Sequence, residues 1–200
     1  MRIFLIICIS LLSLMFARRD CLQQAEKDAF GRTTRPEKDT FAISPSSHFY
    51  IHYDTTGNTA PNLTDIDGNG IPDYVDEVAL IADSAYHVLV NVLEYDEEPF
   101  DGEGGYDIYI MSYGANVYGY NYKDNGSTSY LQIDNDYVGY NSKFNLTPIQ
   151  IMQITVGHEY FHAIQYGYEE NFGVKLTAED FQTVVTFDDF YNLISNKINE

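Results

Sequence analysis

The chain is expected to fold as an α+β domain in which a mixed sheet lies on two helices. Three observations carry this expectation. Apolar residues recur at helical spacing from about Asp73 to Glu94, a second proline-free helical stretch covers Ile149 to Tyr166, and short β-rich runs lie before and between them. The order strand, helix, several strands, helix is that of segregated layers rather than of strictly alternating β and α units. A length of 200 residues suits one domain with a small appendage.

From the N-terminus, Ile3 to Phe16 is almost wholly apolar, follows Arg2, and leads to Ala17 before Arg18-Arg19-Asp20. This is the pattern of a secretory signal over residues 1–17, and the run is short for a membrane span. The alternative is an uncleaved anchor, because Met15-Phe16-Ala17 is an imperfect cleavage site. Removal of the signal discards Cys8 and leaves Cys21 alone, so the mature fold is expected to be held by its core and by metals. Residues 18–45 read as polar and unpatterned, either a leader that docks on the body or a solvated arm.

Charge separates these two parts of the chain. Seven of the eleven Lys and Arg lie before residue 41, and beyond it four basic residues face twenty-five acidic ones. Such a body repels nucleic acid and anionic lipid and attracts divalent cations. The expected partner is a protein or peptide substrate, with no nucleic acid and no stable membrane association after signal cleavage. The expected location is extracellular.

His48 to Tyr53 alternates polar and apolar residues and reads as a strand. Asp65-Ile66-Asp67-Gly68-Asn69-Gly70-Ile71-Pro72-Asp73-Tyr74-Val75-Asp76 follows. It places oxygen ligands at the first, third, fifth, ninth and twelfth positions of an EF-hand-like loop, with Gly70 at the turn and the Ile71 carbonyl at the seventh. Hard oxygens at this spacing wrap one Ca²⁺, so Asp65, Asp67, Asn69, Ile71, Asp73 and Asp76 are candidate ligands of a structural calcium. Asp76 stands where a bidentate Glu is usual, and Glu77 is one residue late. The bland alternative is a polar turn that caps the next helix. That helix carries Val75, Val78, Ala79, Ala82, Ala85, Leu89 and Leu93 at helical spacing, and His87 is expected at its surface. A Gly- and acid-rich turn (residues 96–105) leads to a strand over Tyr106–Met111. Tyr118–Tyr122 and Ser129–Ile133 are expected as short strands at the sheet edge, with the many tyrosines packing half-buried.

Leu146-Thr147-Pro148 supplies an N-cap threonine and a first-turn proline for the last long helix. On it stands His158-Glu159-Tyr160-Phe161-His162. Residues four apart share a helix face, so both imidazoles can reach one Zn²⁺ while Glu159 reaches a water beside it. Glu159 is the expected general base and later proton donor to the leaving amine. Two core histidines with Glu159 at the surface are the structural alternative.

The stretches His48–Gly57, Asp65–Glu77, Tyr130–Asn135 and His158–Tyr166, in this order and spacing, resemble the secreted zinc metallopeptidases of bacteria named after a Myxococcus member. The resemblance covers about residues 46–168. It implies a zincin-like domain: a mixed sheet packed on a backing helix and an active-site helix, zinc on His158 and His162, and Glu159 as base. It stops after Tyr168. A third protein ligand, usually a Glu in a stretch with Thr and Trp, is not matched, and the chain has no Trp. Glu179 is the best-spaced substitute; Glu170 or none are the alternatives. Residues 169–200 instead resemble the last part of an acyl carrier protein, without the serine that carries its prosthetic group. They are expected as a short helical tail left by fusion or truncation. The functional expectation is zinc-dependent peptide-bond hydrolysis by a calcium-stabilised secreted enzyme. The alternative is a catalytically inactive, calcium-dependent extracellular binding module.

Overall fold

The computed structural model describes residues 22–24, 33–102, 104–113, 117–139 and 145–173. The signal, both cysteines, Glu179 and residues 174–200 of the expected helical tail lie outside the described residues.

The fold is α+β, a mixed sheet with two helices packed against it. The strands are β1 (Leu22–Gln24), β2 (Thr40–Ile43), β3 (Phe49–Tyr53), β4 (Tyr106–Met111), β5 (Gly119–Lys123) and β6 (Ser129–Asp134). They lie in the order β1-β5-β6-β4-β3-β2, so five strands form the body and three-residue β1 extends one edge. The helices are α1 (Asp73–Tyr86), continued by π-helical turns over His87–Val92, and α2 (Pro148–Phe172).

The strand pattern follows from the pleat, in which successive side chains point to opposite faces. Phe49, Ile51, Ile108, Ile110, Leu131 and Ile133 are fully buried and join the helices in one core. Tyr109 and Tyr130 alternate with them and form a separate cluster on the other face. β3 and β4 pair in parallel, with Ile51 opposite Ile108, because α1 carries the chain back across the sheet. β5 and β6 form an antiparallel hairpin. Its turn closes with Thr128 N–H on Asn125 C=O at 2.9 Å and Gly126 at φ 60°.

Three details differ from the sequence reading. The expected edge strand β6 lies between β4 and β5, and all six of its residues are buried. The alternation of Tyr130, Gln132 and Asp134 mimics an edge strand because the sheet's second face is itself tyrosine-rich and polar. The segment before residue 46 contributes β2, which pairs antiparallel with β3, and β1, which pairs with β5. Exposed Phe41 and Ile43 had masked the period of β2. Finally, α2 runs on to Phe172, past the expected domain limit at Tyr168, and stops at Gly173 in the left-handed region (φ 66°).

Thr147 caps α2 in a capping box with Gln150, as its hydroxyl accepts from the Gln150 N–H. Buried positions include five in succession, His162 to Tyr166, so every side of this helix is covered somewhere along its length. The cover comes from α1, β5, β6 and the segment around Tyr95–Pro99. Glu98 pins that segment: His48 Nε2 donates to its Oε1 at 2.7 Å, and the Tyr160 hydroxyl donates to its Oε2.

Burial opposes charge on His48, but its hydrogen bond to Glu98 and the charges of Glu98, Glu97 and Asp83 outweigh it and raise its pKa. A raised folded-state pKa means that the stabilisation is complete below the unfolded value of about 6.5 and is lost as pH rises through the folded value. The difference in melting temperature between the unaltered chain and His48→Gln should therefore be greatest near pH 6 and shrink on the alkaline side. Thermal melts of both chains across that range check it; a constant difference would show that packing alone is lost.

Candidate metal centre

Helix α2 brings the two histidines of the motif together. His158 Nε2 and His162 Nε2 lie 3.1 Å apart, with the rings nearly perpendicular at a centroid distance of 4.6 Å. Two nitrogens sharing a tetrahedral ion at ~2.05 Å would stand roughly 3.3 Å apart, so this pair fits one zinc. Gln165 fixes the tautomer of one ring: its amide oxygen can only accept, so His162 Nδ1–H donates to it (2.5 Å), which leaves the lone pair on Nε2. Burial and neighbouring His162 push His158 down to about 3, and burial lowers His162 to about 4 against the opposing bond to Gln165. Both imidazoles are therefore neutral at physiological pH, the form that binds metal.

Glu159 is 3 % exposed, not at the surface. Burial pushes its carboxyl up to about 8, and its Oε2 is an unpaired buried oxygen among the described residues. A buried polar atom without a partner costs about 1–3 kcal/mol, a feature that native structures rarely keep outside functional sites. Strand β5 sets the walls around it. Asn121 Nδ2 donates to the Glu159 backbone carbonyl (2.8 Å) and to the Tyr106 hydroxyl (3.1 Å), which also meets Ser129 Oγ (2.8 Å). Gly119 permits the close approach, since a Cβ there would stand 2.8 Å from Thr155 Cγ2 and 2.8 Å from the Gln132 carbonyl. Gln165 lies one turn beyond His162 and was within reach of sequence reasoning; Asn121 and Gly119 meet α2 only through the tertiary fold.

A third protein donor is not brought to this pair by any His, Cys, Asp or Glu among the described residues. Glu170, one of the expected substitutes, accepts a hydrogen bond from Ser127 and joins no group with the histidines. Glu169 pairs with Lys123 at 3.3 Å.

The acidic loop is the second candidate. Asp65, Asp67 and Asp73 each offer a carboxylate oxygen, and these oxygens lie within 4.8 Å of one another. Gly68 and Gly70 take positive φ (73° and 89°), the conformation that lets their N–H groups turn inward onto Asp65 at 2.8 and 2.9 Å. Those donors, Gly70 foremost, hold the Asp65 carboxyl below the usual carboxylate range. Asp73 begins α1 and accepts from Ile66 N–H (3.0 Å). Asn69 Oδ1 accepts from Ile71 N–H, and its amide donates to Asp67 and, at 2.8 Å, to Asp76. Asp76 and Glu77 stand outside the converging group. His87 is exposed, as expected.

No family model, characterised protein or solved structure matches this chain. Among the described residues no helix is long and apolar enough to cross a membrane.

Proposed function

We propose that this chain is a secreted, zincin-like peptidase that uses zinc at His158 and His162 and is stabilised by calcium in the Asp65–Asp76 loop. The observation that carries the reading is the convergence of two neutral imidazole nitrogens beside a buried carboxyl with an unpaired oxygen. When bound, zinc supplies Lewis-acid polarisation of the scissile carbonyl and of the attacking water. His158 and His162 hold the ion, and Gln165 keeps His162 in the coordinating tautomer. Glu159, as carboxylate, takes the proton of the water at its Oε2 and passes it to the leaving amine. A cation beside it favours that charged form against burial. Asn121 ties the backbone of α2 at Glu159 to strand β5.

One zinc per chain is the expected stoichiometry for the purified protein. His158→Ala should abolish it, and Gln165→Ala should weaken zinc affinity by about 10–100-fold while leaving the fold intact. Elemental analysis with competition against a chelating dye checks both. Equal zinc content in all three proteins would end the reading.

A second reading rests on the pair lacking a third protein donor among the described residues. It takes the chain as an inactive calcium-dependent binding module. That reading requires calcium-dependent folding with no zinc at equimolar level, which the same metal analysis distinguishes.

A further inference from the structure

The chain contains two Asn-Gly pairs, Asn69-Gly70 and Asn125-Gly126, and both are exposed. Glycine has no side chain to shield its backbone nitrogen, which can therefore attack the side-chain carbonyl carbon of the preceding asparagine. Three requirements limit that attack. The side chain must lie over the next peptide, the glycine nitrogen must lose its proton, and the asparagine amide must leave as ammonia.

The loop meets all three at Asn69. Its Oδ1 accepts from Ile71 N–H at 2.7 Å, a ring that closes across the Asn69–Gly70 peptide and folds Cγ back over the Gly70 nitrogen. The Gly70 N–H donates to Asp65 Oδ2 at 2.9 Å. Its partner is thus a carboxylate, which can take a proton, rather than a backbone carbonyl, which cannot. Nδ2, the nitrogen that has to depart, donates to Asp76 Oδ2 at 2.8 Å and to Asp67 Oδ2 at 3.3 Å. Two anions therefore stabilise positive charge on it as the carbon–nitrogen bond opens. Asn125 is the contrast within the same chain. Its Nδ2 donates to the neutral Thr33 Oγ1 at 3.2 Å, and the adjacent Asp124 carboxylate accepts from the Asn125 N–H, one residue before the nitrogen that would attack.

We propose that Asn69 is a self-modification site, at which the Gly70 nitrogen displaces the side-chain amide with Asp65 as base, and that the product resets the divalent-cation affinity of the loop. The Gly70 N–Cγ bond forms as the Gly70 proton passes to Asp65. The Cγ–Nδ2 bond then breaks, and Nδ2 leaves as ammonia with that proton. Water, the only co-reactant, opens the resulting cyclic imide at either carbonyl. One opening gives aspartate at position 69; the other gives an isoaspartyl link, in which the backbone runs through the former side chain. Aspartate adds a carboxylate at the fifth ligand place, whereas the isoaspartyl link inserts a backbone carbon and breaks the spacing of the ligands. This effect on affinity rests on the calcium reading of the loop; the reaction itself does not.

The test incubates the full chain with a chelator at neutral pH and follows amide-to-acid conversion at both pairs by peptide mass spectrometry. Asn69 should convert at least ~10-fold faster than Asn125, a conservative share of what a positioned base contributes. It should also convert faster in the folded chain than in the same chain unfolded in urea. Asp65→Asn should remove the advantage of Asn69 and leave Asn125 unchanged. Slower conversion in the folded chain would mean that the loop's hydrogen bonds protect the amide, and would overturn the proposal. An undiminished rate at Asn69 in Asp65→Asn would overturn it as well. Calcium chloride should slow Asn69 alone, because an ion held by Asp65 and by Asn69 Oδ1 occupies the base and draws the side chain away from Ile71. If Asn69 reacts as expected and calcium neither slows it nor binds, the calcium reading fails and the modification site stands. Asn69→Asp should bind calcium several-fold more tightly than the unaltered chain, and isoaspartyl-rich reacted protein more weakly. Calcium binding of equal strength in all three would refute the resetting of affinity.

Discussion

Glu159→Gln is expected to lower peptide hydrolysis by about 10²–10⁴-fold, the contribution usual for a positioned general base, with zinc content unchanged. The substitution is nearly isosteric and removes only the ability to take a proton. The contact that positions this residue, Asn121 Nδ2 to its backbone carbonyl, does not involve the side chain and survives the change. The histidines keep their tautomer because Gln165 sets it for His162. The folded state should not lose stability, because a neutral amide replaces a carboxyl that burial holds up to about 8 and whose Oε2 has no partner. A fluorogenic peptide assay with parallel zinc determination and a thermal melt reads all three quantities. Activity that survives the change would remove Glu159 from the chemistry; a large fall in melting temperature would make it a structural residue.

Calcium is expected to raise the melting temperature by roughly 5–10 °C at a concentration about 100 times its dissociation constant. Selective binding to the folded state at that ratio contributes about 2.7 kcal/mol, and a domain of this size gains about 2–4 °C per kcal/mol. The physical cause is the crowding of carboxylate oxygens from Asp65, Asp67 and Asp73 within 4.8 Å, which repel one another until a cation enters. Asp67→Ala should abolish the shift. Among the three, Asp67 is the choice because its hydrogen bonds are confined to Asn69, whereas Asp73 begins α1 and Asp65 organises the Gly68–Gly70 turn. Magnesium, which keeps most of its water and demands octahedral geometry, should give a smaller shift. An unmoved transition at millimolar calcium would reduce the loop to a helix-capping turn.

Periodicity placed α1 and α2 well because a helix is local: Val75, Val78, Ala82 and Ala85 share a stripe through backbone geometry alone. The Thr147 cap and the turn at Gly70 were legible for the same reason. His48 was read as part of a strand, but its bond to Glu98, fifty residues away, had no sequence signal. β2 was missed because its outward residues are apolar, and β6 was read as an edge because its second face is polar and tyrosine-rich. In both, burial on the two faces of a strand is decided by what covers it, which no local pattern encodes.

The amino-acid order by itself determined the α+β layering, the one-turn spacing that lets His158 and His162 meet, and the convergence of the acidic loop. Each depends on the 3.6-residue turn, the two-residue pleat or short-range turn chemistry. Only the tertiary structure decided that Glu159 is buried with an unpaired oxygen, that Asn121 steadies it, that Glu170 is engaged by Ser127, and that Arg35 crosses the sheet to Asp101, Asp107 and Asp124. These facts depend on which distant segments pack together, because burial and electrostatic pairing are set by separation in space rather than along the chain.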